Sequence, residues 1–288
     1  MNKAVVFWKT SNLAIKIIVI NVLIFLLFHV IDIIFDIAGL APPANLLMEN
    51  IGLNSMYQIF LIKPWTLITH MFMHSGFFHL FFNMLMLFFT YRLFIQYFED
   101  RDFFSVYFLS GISGAALFLL AFNIIPSLSN KVGTIAVGAS ACVYGTLAAI
   151  CAYKPEERVR LYGVFNIKLF WLLFIIIFLN IINYRSNIGG YWGHFGGIFF
   201  GLAFAYYRKK NVNIQKPLFI IYDFLFEKRR RSPLKVVHSS VKRNIGTTSK
   251  SAYSNEDVLN TILDKISKSG YDSLTKEEKR ILFDLSKK

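Results

Sequence analysis

Long apolar stretches separated by short polar segments dominate the first 210 residues of the chain. A stretch of roughly 17 to 25 apolar residues is long enough to cross a bilayer as a helix. Six stretches meet this criterion, at about residues 14–37, 77–97, 103–124, 134–153, 166–183 and 190–207. The pattern therefore predicts an all-α polytopic membrane protein whose main domain, residues 1–210, is a bundle of six transmembrane helices.

Composition and charge support this class and suggest an orientation. Of the 288 residues 55% are hydrophobic, and the mean hydropathy is +0.50, well above the range of soluble domains. The first stretch is too long for a cleaved signal peptide and no small-residue cleavage pattern follows it. Most lysines and arginines of the short loops lie on one side of the predicted bundle, which should be the cytoplasmic side. We expect both termini in the cytoplasm and a bacterial cytoplasmic membrane as the simplest location.

The residues after the bundle are polar and basic. From Arg208 onward there are 19 Lys or Arg against 9 Asp or Glu, so this region carries +10 of the net charge of +14. We interpret residues 211–254 as a basic juxtamembrane segment and polar linker. Its KRRR cluster at 228–231 suits contact with anionic lipid rather than nucleic acid. Residues 255–288 are predicted to form a small helical hairpin, since Thr275 and Glu278 have the spacing of a capping box.

Polar side chains inside apolar stretches are costly and are therefore candidates for function. They comprise His29, His70, His74, His79, Asn83, Ser140, Asn180 and His194. Ser140 lies fourteen residues before Lys154, and His194 lies fourteen residues before Arg208. At about 1.5 Å per helical residue, both groups are expected about 21 Å from the same membrane boundary.

Small residues recur every four positions in the two stretches that carry this pair. Gly193, Gly197, Gly201 and Ala205 follow this spacing in the sixth stretch, and Ala141, Gly145 and Ala149 follow it in the fourth. Faces of this kind let two membrane helices approach closely. The sequence therefore predicts that Ser140 and His194 come within hydrogen-bonding distance.

A serine hydroxyl becomes a nucleophile when a neighbouring imidazole accepts its proton. His194 could serve Ser140 in this way as a dyad, because no carboxylate lies at that depth to complete a triad. Tyr144, one turn after Ser140, could pack against the imidazole. His79 lies at nearly the same depth and Asn83 one turn further along the same face, so both could donate to an oxyanion.

These residues resemble the rhomboid intramembrane serine proteases. The resemblance consists of Gly138-Ala139-Ser140 with Tyr144, His194 followed by Gly197 and Gly201, and the H-x-x-x-N pattern of His79 and Asn83. It covers about residues 14–208 and implies a six-helix bundle that cleaves other membrane proteins in or near their transmembrane segments. It also implies Ser140 as nucleophile, His194 as general base, His79 and Asn83 as oxyanion ligands, and neither cofactor nor metal. The expected partners are transmembrane substrates and the lipid bilayer.

The sequence departs from the family pattern at two places. Ala141 stands where many members have glycine, and Pro64-Trp65-Thr66 stands where a Trp-Arg pair is common. Anchoring of the first long loop, residues 38–76, could therefore differ. The loop itself still suits the partly embedded hairpin of the family.

Other interpretations remain open at this stage. His70 and His74 could line the entrance to the site, brace the first loop or bind a metal ion. A bis-histidine haem protein could use His70 or His79 opposite His194. The sequence lacks the H-E-x-x-H motif of zinc proteases. Cys142 and Cys151 are interpreted as small buried apolar residues. The main rival is a rhomboid-like scaffold without catalytic activity that binds transmembrane clients.

Overall fold

The computed structural model describes residues 3–40, 44–161, 165–182, 184–185, 187–226 and 255–285. These residues are mostly helical. In chain order the α-helices are α1 (Lys3–Thr10), α2 (Leu13–Ile37), α3 (Ala44–Ile51), α4 (Tyr57–Ile62), α5 (Thr66–Thr69), α6 (Phe77–Phe94), α7 (Asp100–Ile124), α8 (Ser140–Tyr153), α9 (Leu169–Ile182), α10 (Ile188–Lys209), α11 (Phe219–Phe226), α12 (Asn255–Ser269) and α13 (Lys276–Leu285). Short strands are β1 (Leu53–Asn54), β2 (Ile135–Ala136), β3 (Arg158–Leu161) and β4 (Phe165–Lys168).

Each predicted membrane stretch contains one helix, namely α2, α6, α7, α8, α9 or α10, so the polytopic helical fold is confirmed. Among the described residues, α2, α6 and α7 are both long enough and apolar enough to cross a bilayer on length and hydropathy alone. Helices α8 and α9 have 14 residues each and are shorter than a full span. Helix α10 has 22 residues, but its many glycines dilute its hydropathy.

The fourth apolar stretch is not helical throughout, contrary to the sequence-based expectation of a helix over 134–153. Residues Ile135–Ala136 form β2, which pairs with Leu53–Asn54 of β1, and the helix begins only at Ser140. Gly138 adopts a positive φ of 119°, a left-handed backbone that ends any regular structure before the helix. Hydropathy alone could not detect this interruption, because the residues on both sides are equally apolar. Ser140 therefore lies at the start of its helix rather than inside it.

The fifth stretch is shortened in a similar way. Its first residues belong to β4, which pairs antiparallel with β3 from Arg158↔Lys168 to Leu161↔Phe165. Helix α9 then begins at Leu169. β-Branched and aromatic residues suit strands as well as membrane helices, so a continuous apolar stretch does not distinguish the two structures.

Helix α8 forms the centre of the bundle and packs against α6, α7, α9 and α10. All its residues from Ala141 to Cys151 except Tyr144 are buried, including both cysteines, which are free thiols. A Cβ on Gly197 would clash with the Ala141 carbonyl oxygen, and one on Gly201 would clash with the Gly145 carbonyl oxygen. These two glycines therefore allow close, parallel contact between α8 and α10, as their spacing predicts.

Gly193 does not take part in this contact. A Cβ at this position would have no atom within 4 Å, so the close contact of α10 with α8 begins at Gly197, one turn later than the sequence pattern suggests. The Gly193 carbonyl instead approaches Gly114 of α7. A second link between these helices is the Ser113 hydroxyl, which donates to the Gly196 carbonyl at 2.8 Å.

Within the long connection between α2 and α6, side chains donate hydrogen bonds to backbone carbonyls of α3. The Trp65 indole donates to the Asn50 carbonyl at 2.8 Å, and the Thr69 hydroxyl donates to the Ile51 carbonyl at 2.7 Å. Trp65 therefore links this connection to Asn50, with Pro64 and Thr66 as its chain neighbours. Embedding of this loop in the membrane stays a prediction.

The residues after α10 fall into two parts. Helix α11 packs against α7, with Arg101 Nε 3.1 Å from Asp223 Oδ1, and it belongs to the same compact unit, residues 1–230, as the bundle. Residues 231–288 form a second unit, in which α12 and α13 pack together. The predicted capping box is present, since the Thr275 N–H donates to Glu278 Oε2 at 2.7 Å. The 228–231 cluster and the linker at 238–254 lie outside the described residues.

Candidate active site

Ser140 and His194 face each other across the contact between α8 and α10. Ser140 Oγ lies 2.8 Å from His194 Nε2, a hydrogen-bonding distance between a hydroxyl and an imidazole nitrogen. Their helices are parallel and meet at Gly197 and Gly201, so residues near the start of each helix arrive at the same level. Sequence depth and glycine spacing together predicted this pairing, which the close backbone contact explains.

Tyr144 covers one face of the imidazole. Its ring lies parallel to that of His194, with centroids 4.2 Å apart and planes at 7°. Tyr144 is four residues after Ser140 and therefore on the same face of α8. The phenol ring packs against the face of the imidazole, as the sequence analysis predicts for this residue.

His79 approaches the site from α6, next to the left-handed turn at Gly138. A Cβ on Gly138 would lie 2.8 Å from both His79 Cε1 and His79 Nε2, so only glycine leaves room for this ring. The other ring nitrogen, His79 Nδ1, lies 3.1 Å from Ser75 Oγ. The edge of the His79 ring that carries Nε2 is thus directed at the segment that immediately precedes Ser140.

Asn83 is buried one turn further along α6 and makes a local contact. Its amide nitrogen donates to the His79 carbonyl at 2.8 Å. Among the described residues that line the cavity around Ser140, His79 is present and Asn83 is absent. The structure therefore places His79 at the cavity that contains the Ser140–His194 pair, whereas the Asn83 amide bonds to the backbone of its own helix.

A cavity of about 600 Å³ surrounds the Ser140 hydroxyl. Its lining includes His79, His194 and Gly193, and it extends to Met48 of α3 and to Thr134 just before β2. The open space beside Gly193 belongs to this cavity. A volume of this size lies within the usual range of ligand-binding cavities.

His70 and His74 support the segment that leads into Ser140. The Gly138 N–H donates to the His70 carbonyl at 2.8 Å, and the Ala139 N–H donates to His74 Nε2 at 3.4 Å. Within the part of the chain that the structure describes, no group of three or more His, Cys, Asp or Glu side chains is arranged to hold a metal ion. These contacts favour a bracing role over the metal-binding alternative.

Ala141, the departure from the family pattern, lies in the first turn of α8. Among the described residues, Asn211 is the one non-glycine residue with a positive φ, so Ala141 has an ordinary backbone. A methyl group at this position therefore adds no backbone strain.

Asn180 is the residue whose role the sequence analysis missed. Its Oδ1 lies 2.9 Å from His194 Nδ1, on the side of the ring opposite Ser140, and its side chain is 4% exposed. The signal was present, because Asn180 is an amide within the apolar stretch of α9. The expectation of a dyad considered only carboxylates as a third member, and sequence separation alone does not show which face of α9 meets α10.

Comparisons with known proteins agree with this architecture. The chain is 32% identical over 152 residues to "Inactive RHOMBOID-like protein 8" of Arabidopsis thaliana, an alignment that covers 53% of this chain and 42% of the relative. It is 28% identical over 182 residues to "RHOMBOID-like protein 1" of the same organism, covering 60% and 44%. It is 27% identical over 203 residues to "Rhomboid-like protease 1" of Toxoplasma gondii, covering 67% and 63%. The chain thus spans less than half the length of the two plant relatives.

Two family models match separate parts of the chain. A family of unknown function (DUF6576) matches residues 251–288, which include α12 and α13. The Rhomboid domain matches residues 62–211, just over half of the chain, and this range contains α6 to α10 with Ser140, His194, His79 and Asn180. The chain is therefore a member of the rhomboid family.

Proposed function

We propose that this rhomboid is an active intramembrane serine endopeptidase that hydrolyses peptide bonds in or near transmembrane segments of other membrane proteins. The observation that carries the proposal is the 2.8 Å contact between Ser140 Oγ and His194 Nε2 beside a cavity of about 600 Å³. A nucleophile, a base and space for a substrate are the minimum that acyl transfer requires.

The reaction proceeds in two halves. His194 Nε2 takes the hydroxyl proton as Ser140 Oγ bonds to the carbonyl carbon of the scissile peptide bond. The imidazolium then protonates the amine nitrogen, the C–N bond breaks, and an acyl ester remains on Ser140. A water molecule, deprotonated by the same imidazole, attacks the ester, and its hydrolysis releases the carboxylic acid and restores the serine.

Negative charge on the carbonyl oxygen needs hydrogen-bond donors. Backbone N–H groups in the first turn of a helix have no partner within the helix, and Ser140 opens α8. His79 can add a donor: when the Ser75 hydroxyl donates to Nδ1, Nε2 carries the ring proton and faces the site. Asn83, whose amide donates to the His79 carbonyl, is proposed as a weaker contributor.

Family membership and loop charge support a proposal on substrate class and location. We propose transmembrane protein substrates whose helices unwind near the end of the bundle where α6, α8 and α10 begin. The excess of Lys and Arg in the opposite loops supports cytoplasmic termini, and a bacterial cytoplasmic membrane is the proposed location. The 228–231 cluster is proposed to contact anionic lipid, and no cofactor or nucleic acid takes part.

A scaffold without catalytic activity is the alternative, since one relative is named inactive. The paired Ser140 and His194 tell against this reading, because a scaffold does not require a nucleophile and a base in contact. A haem protein has less support still. The clash of any Cβ at Gly197 with the Ala141 carbonyl shows that α8 and α10 leave no room for a macrocycle between them.

A fluorophosphonate probe tests the proposal on the detergent-solubilised full chain. We expect covalent labelling of the wild type and none in Ser140→Ala or His194→Ala. The matched control is Ser105→Ala, which removes a fully buried serine of α7 whose hydroxyl donates to its own helix at the Arg101 carbonyl. It should be labelled like the wild type. Cleavage of a reporter transmembrane substrate by Ser140→Ala would refute the proposal.

A further inference from the structure

Asn180 places a polar amide where the membrane offers it no water. Helix α9 is otherwise apolar from Leu169 to Ile182, and the Asn180 side chain is 4% exposed. An amide buried without hydrogen-bond partners is strongly unfavourable. Both the nitrogen and the oxygen of this amide have a hydrogen-bond partner on α10.

The two contacts determine which way the amide points. Asn180 Nδ2 lies 3.3 Å from the Tyr191 carbonyl oxygen, and Oδ1 lies 2.9 Å from His194 Nδ1. A carbonyl oxygen can only accept a hydrogen bond, so the NH₂ group must face Tyr191. The opposite orientation would place two oxygen atoms against each other. Asn180 therefore presents an acceptor to His194.

An acceptor at Nδ1 selects one form of the neutral imidazole. Nδ1 must carry the ring proton in order to donate to Asn180 Oδ1, which leaves a lone pair on Nε2. That lone pair faces the Ser140 hydroxyl at 2.8 Å and is the form that a general base needs. The stacked Tyr144 ring lies against the face of the imidazole, whereas both ring nitrogens bond in the plane of the ring, so the stack cannot make this choice.

We infer that Asn180 is a positioning residue that holds His194 in the tautomer protonated at Nδ1, so that Ser140, His194 and Asn180 act as a triad with a neutral third member. The consequence for peptide hydrolysis rests on the proposed function. The selection of the tautomer does not rest on the proposed function, because it follows from the contacts between α9 and α10. Asn180 accepts no proton during the reaction, since an amide oxygen is a very weak base.

The direct test is nitrogen NMR of the full chain in detergent with ¹⁵N-labelled histidine. The His194 signals are identified by their loss in His194→Gln. In the wild type they should show a protonated Nδ1 and a bare Nε2. In Asn180→Leu, which is similar in size but has no acceptor, the Nε2-protonated form should become populated. A wild-type His194 protonated at Nε2 would overturn the inference without any variant.

Kinetics with a reporter substrate give a second readout. Asn180→Leu should lower kcat about 10- to 100-fold, the range known for removing the partner that orients a metal-bound histidine, with KM within about twofold. Asn180→Asp keeps an acceptor at Nδ1 and should recover most of kcat, which a purely structural role would not predict. The packing control is Ile176→Ala, one turn earlier on the same buried face of α9, which should leave kcat within about threefold and the tautomer unchanged.

The outcomes separate this inference from the proposed function. If Asn180→Leu retains both the Nδ1-protonated form and wild-type kcat, Asn180 has no positioning role although the protease assignment stands. If the wild type neither cleaves a substrate nor reacts with the probe, the protease assignment fails, and the NMR spectra still decide whether Asn180 holds the tautomer. Should Asn180→Leu fail to fold, the wild-type and Asn180→Asp spectra decide the question.

Discussion

Tyr144 and His194 stack face to face, with ring centroids 4.2 Å apart and planes at 7°. This contact joins α8 to α10 at the level of the Ser140 hydroxyl. The general base proposed for His194 must both accept and return a proton, which requires a restricted ring orientation, and the stack supplies a flat surface against which the ring packs.

Two substitutions of Tyr144 distinguish the contribution of ring stacking from that of the phenol hydroxyl. Tyr144→Phe keeps an aromatic face and should leave kcat close to the wild type. Tyr144→Ala should lower kcat about 3- to 10-fold, since aromatic pairs contribute about 0.5 to 1.5 kcal/mol beyond burial. Reporter cleavage measures both variants. A large loss in Tyr144→Phe would show that the hydroxyl, rather than the stacking, matters.

The oxyanion donors should differ in importance. His79 approaches the segment before Ser140 directly, whereas the Asn83 amide is bonded to the His79 carbonyl. His79→Ala should therefore reduce kcat by about 10²- to 10³-fold, the range for removing one oxyanion donor. Asn83→Ala should reduce it less, and KM should change little in either variant. Equal or reversed losses would contradict the assignment of His79 as the principal side-chain donor.

Substitution of Gly138 tests the geometry of the turn before Ser140. In Gly138→Ala the new Cβ would meet the His79 ring at 2.8 Å and would also sit on a backbone with φ of 119°. Probe labelling of Ser140 should be lost. Gly133→Ala is the matched control, because Gly133 has a similar φ of 102° but open space around its Cβ position. If both variants lose labelling equally, backbone strain rather than contact with His79 explains the effect.

Gly197 tests the contact between α8 and α10. Gly197→Ala drives a methyl group into the Ala141 carbonyl, so the helices must separate and the Ser140–His194 distance must increase. We expect a loss of stability of about 1 to 3 kcal/mol, typical of overpacking, together with loss of cleavage. Thermal unfolding in detergent measures the first effect. Gly193→Ala, whose Cβ has no neighbour within 4 Å, should unfold like the wild type, and an equal destabilisation would contradict this packing.

The second unit offers a prediction on pH. The Lys265 ammonium group, followed by the Thr275 N–H, lowers the pKa of Glu278 from 4.5 to about 2. Because the folded pKa lies below the unfolded one, the stability that this ionised carboxylate contributes is present above about pH 4.5 and is lost as the pH falls towards 2. Carbon NMR of ¹³C-glutamate-labelled full chain measures this pKa. Lys265→Met should raise it, and titration near 4.5 in the wild type would contradict the contact.

Several features of the protein could be predicted from the sequence because they depend on residues close together in the chain. The four-residue spacing of Gly197 and Gly201 places both on one helix face, and the equal distances from Ser140 and His194 to the next basic residues place both at one depth. The capping box of Thr275 and Glu278 is equally local. Other features depend on which surfaces meet. The pairing of Leu53 with Ala136 starts α8 six residues later than the apolar pattern suggests, and the two residues are 83 positions apart.

The sequence by itself determined that this protein is a helical membrane protein of the rhomboid family and that Ser140 and His194 lie at one level, because hydropathy and helical period act within each helix. Only the tertiary structure decided that Asn180 meets the far side of the His194 ring, that Asn83 bonds to its own helix and that Gly193 opens into the cavity. The physical reason is that rotation of a helix about its axis is set by packing against its neighbours, and a uniformly apolar helix such as α9 carries no pattern that reveals it.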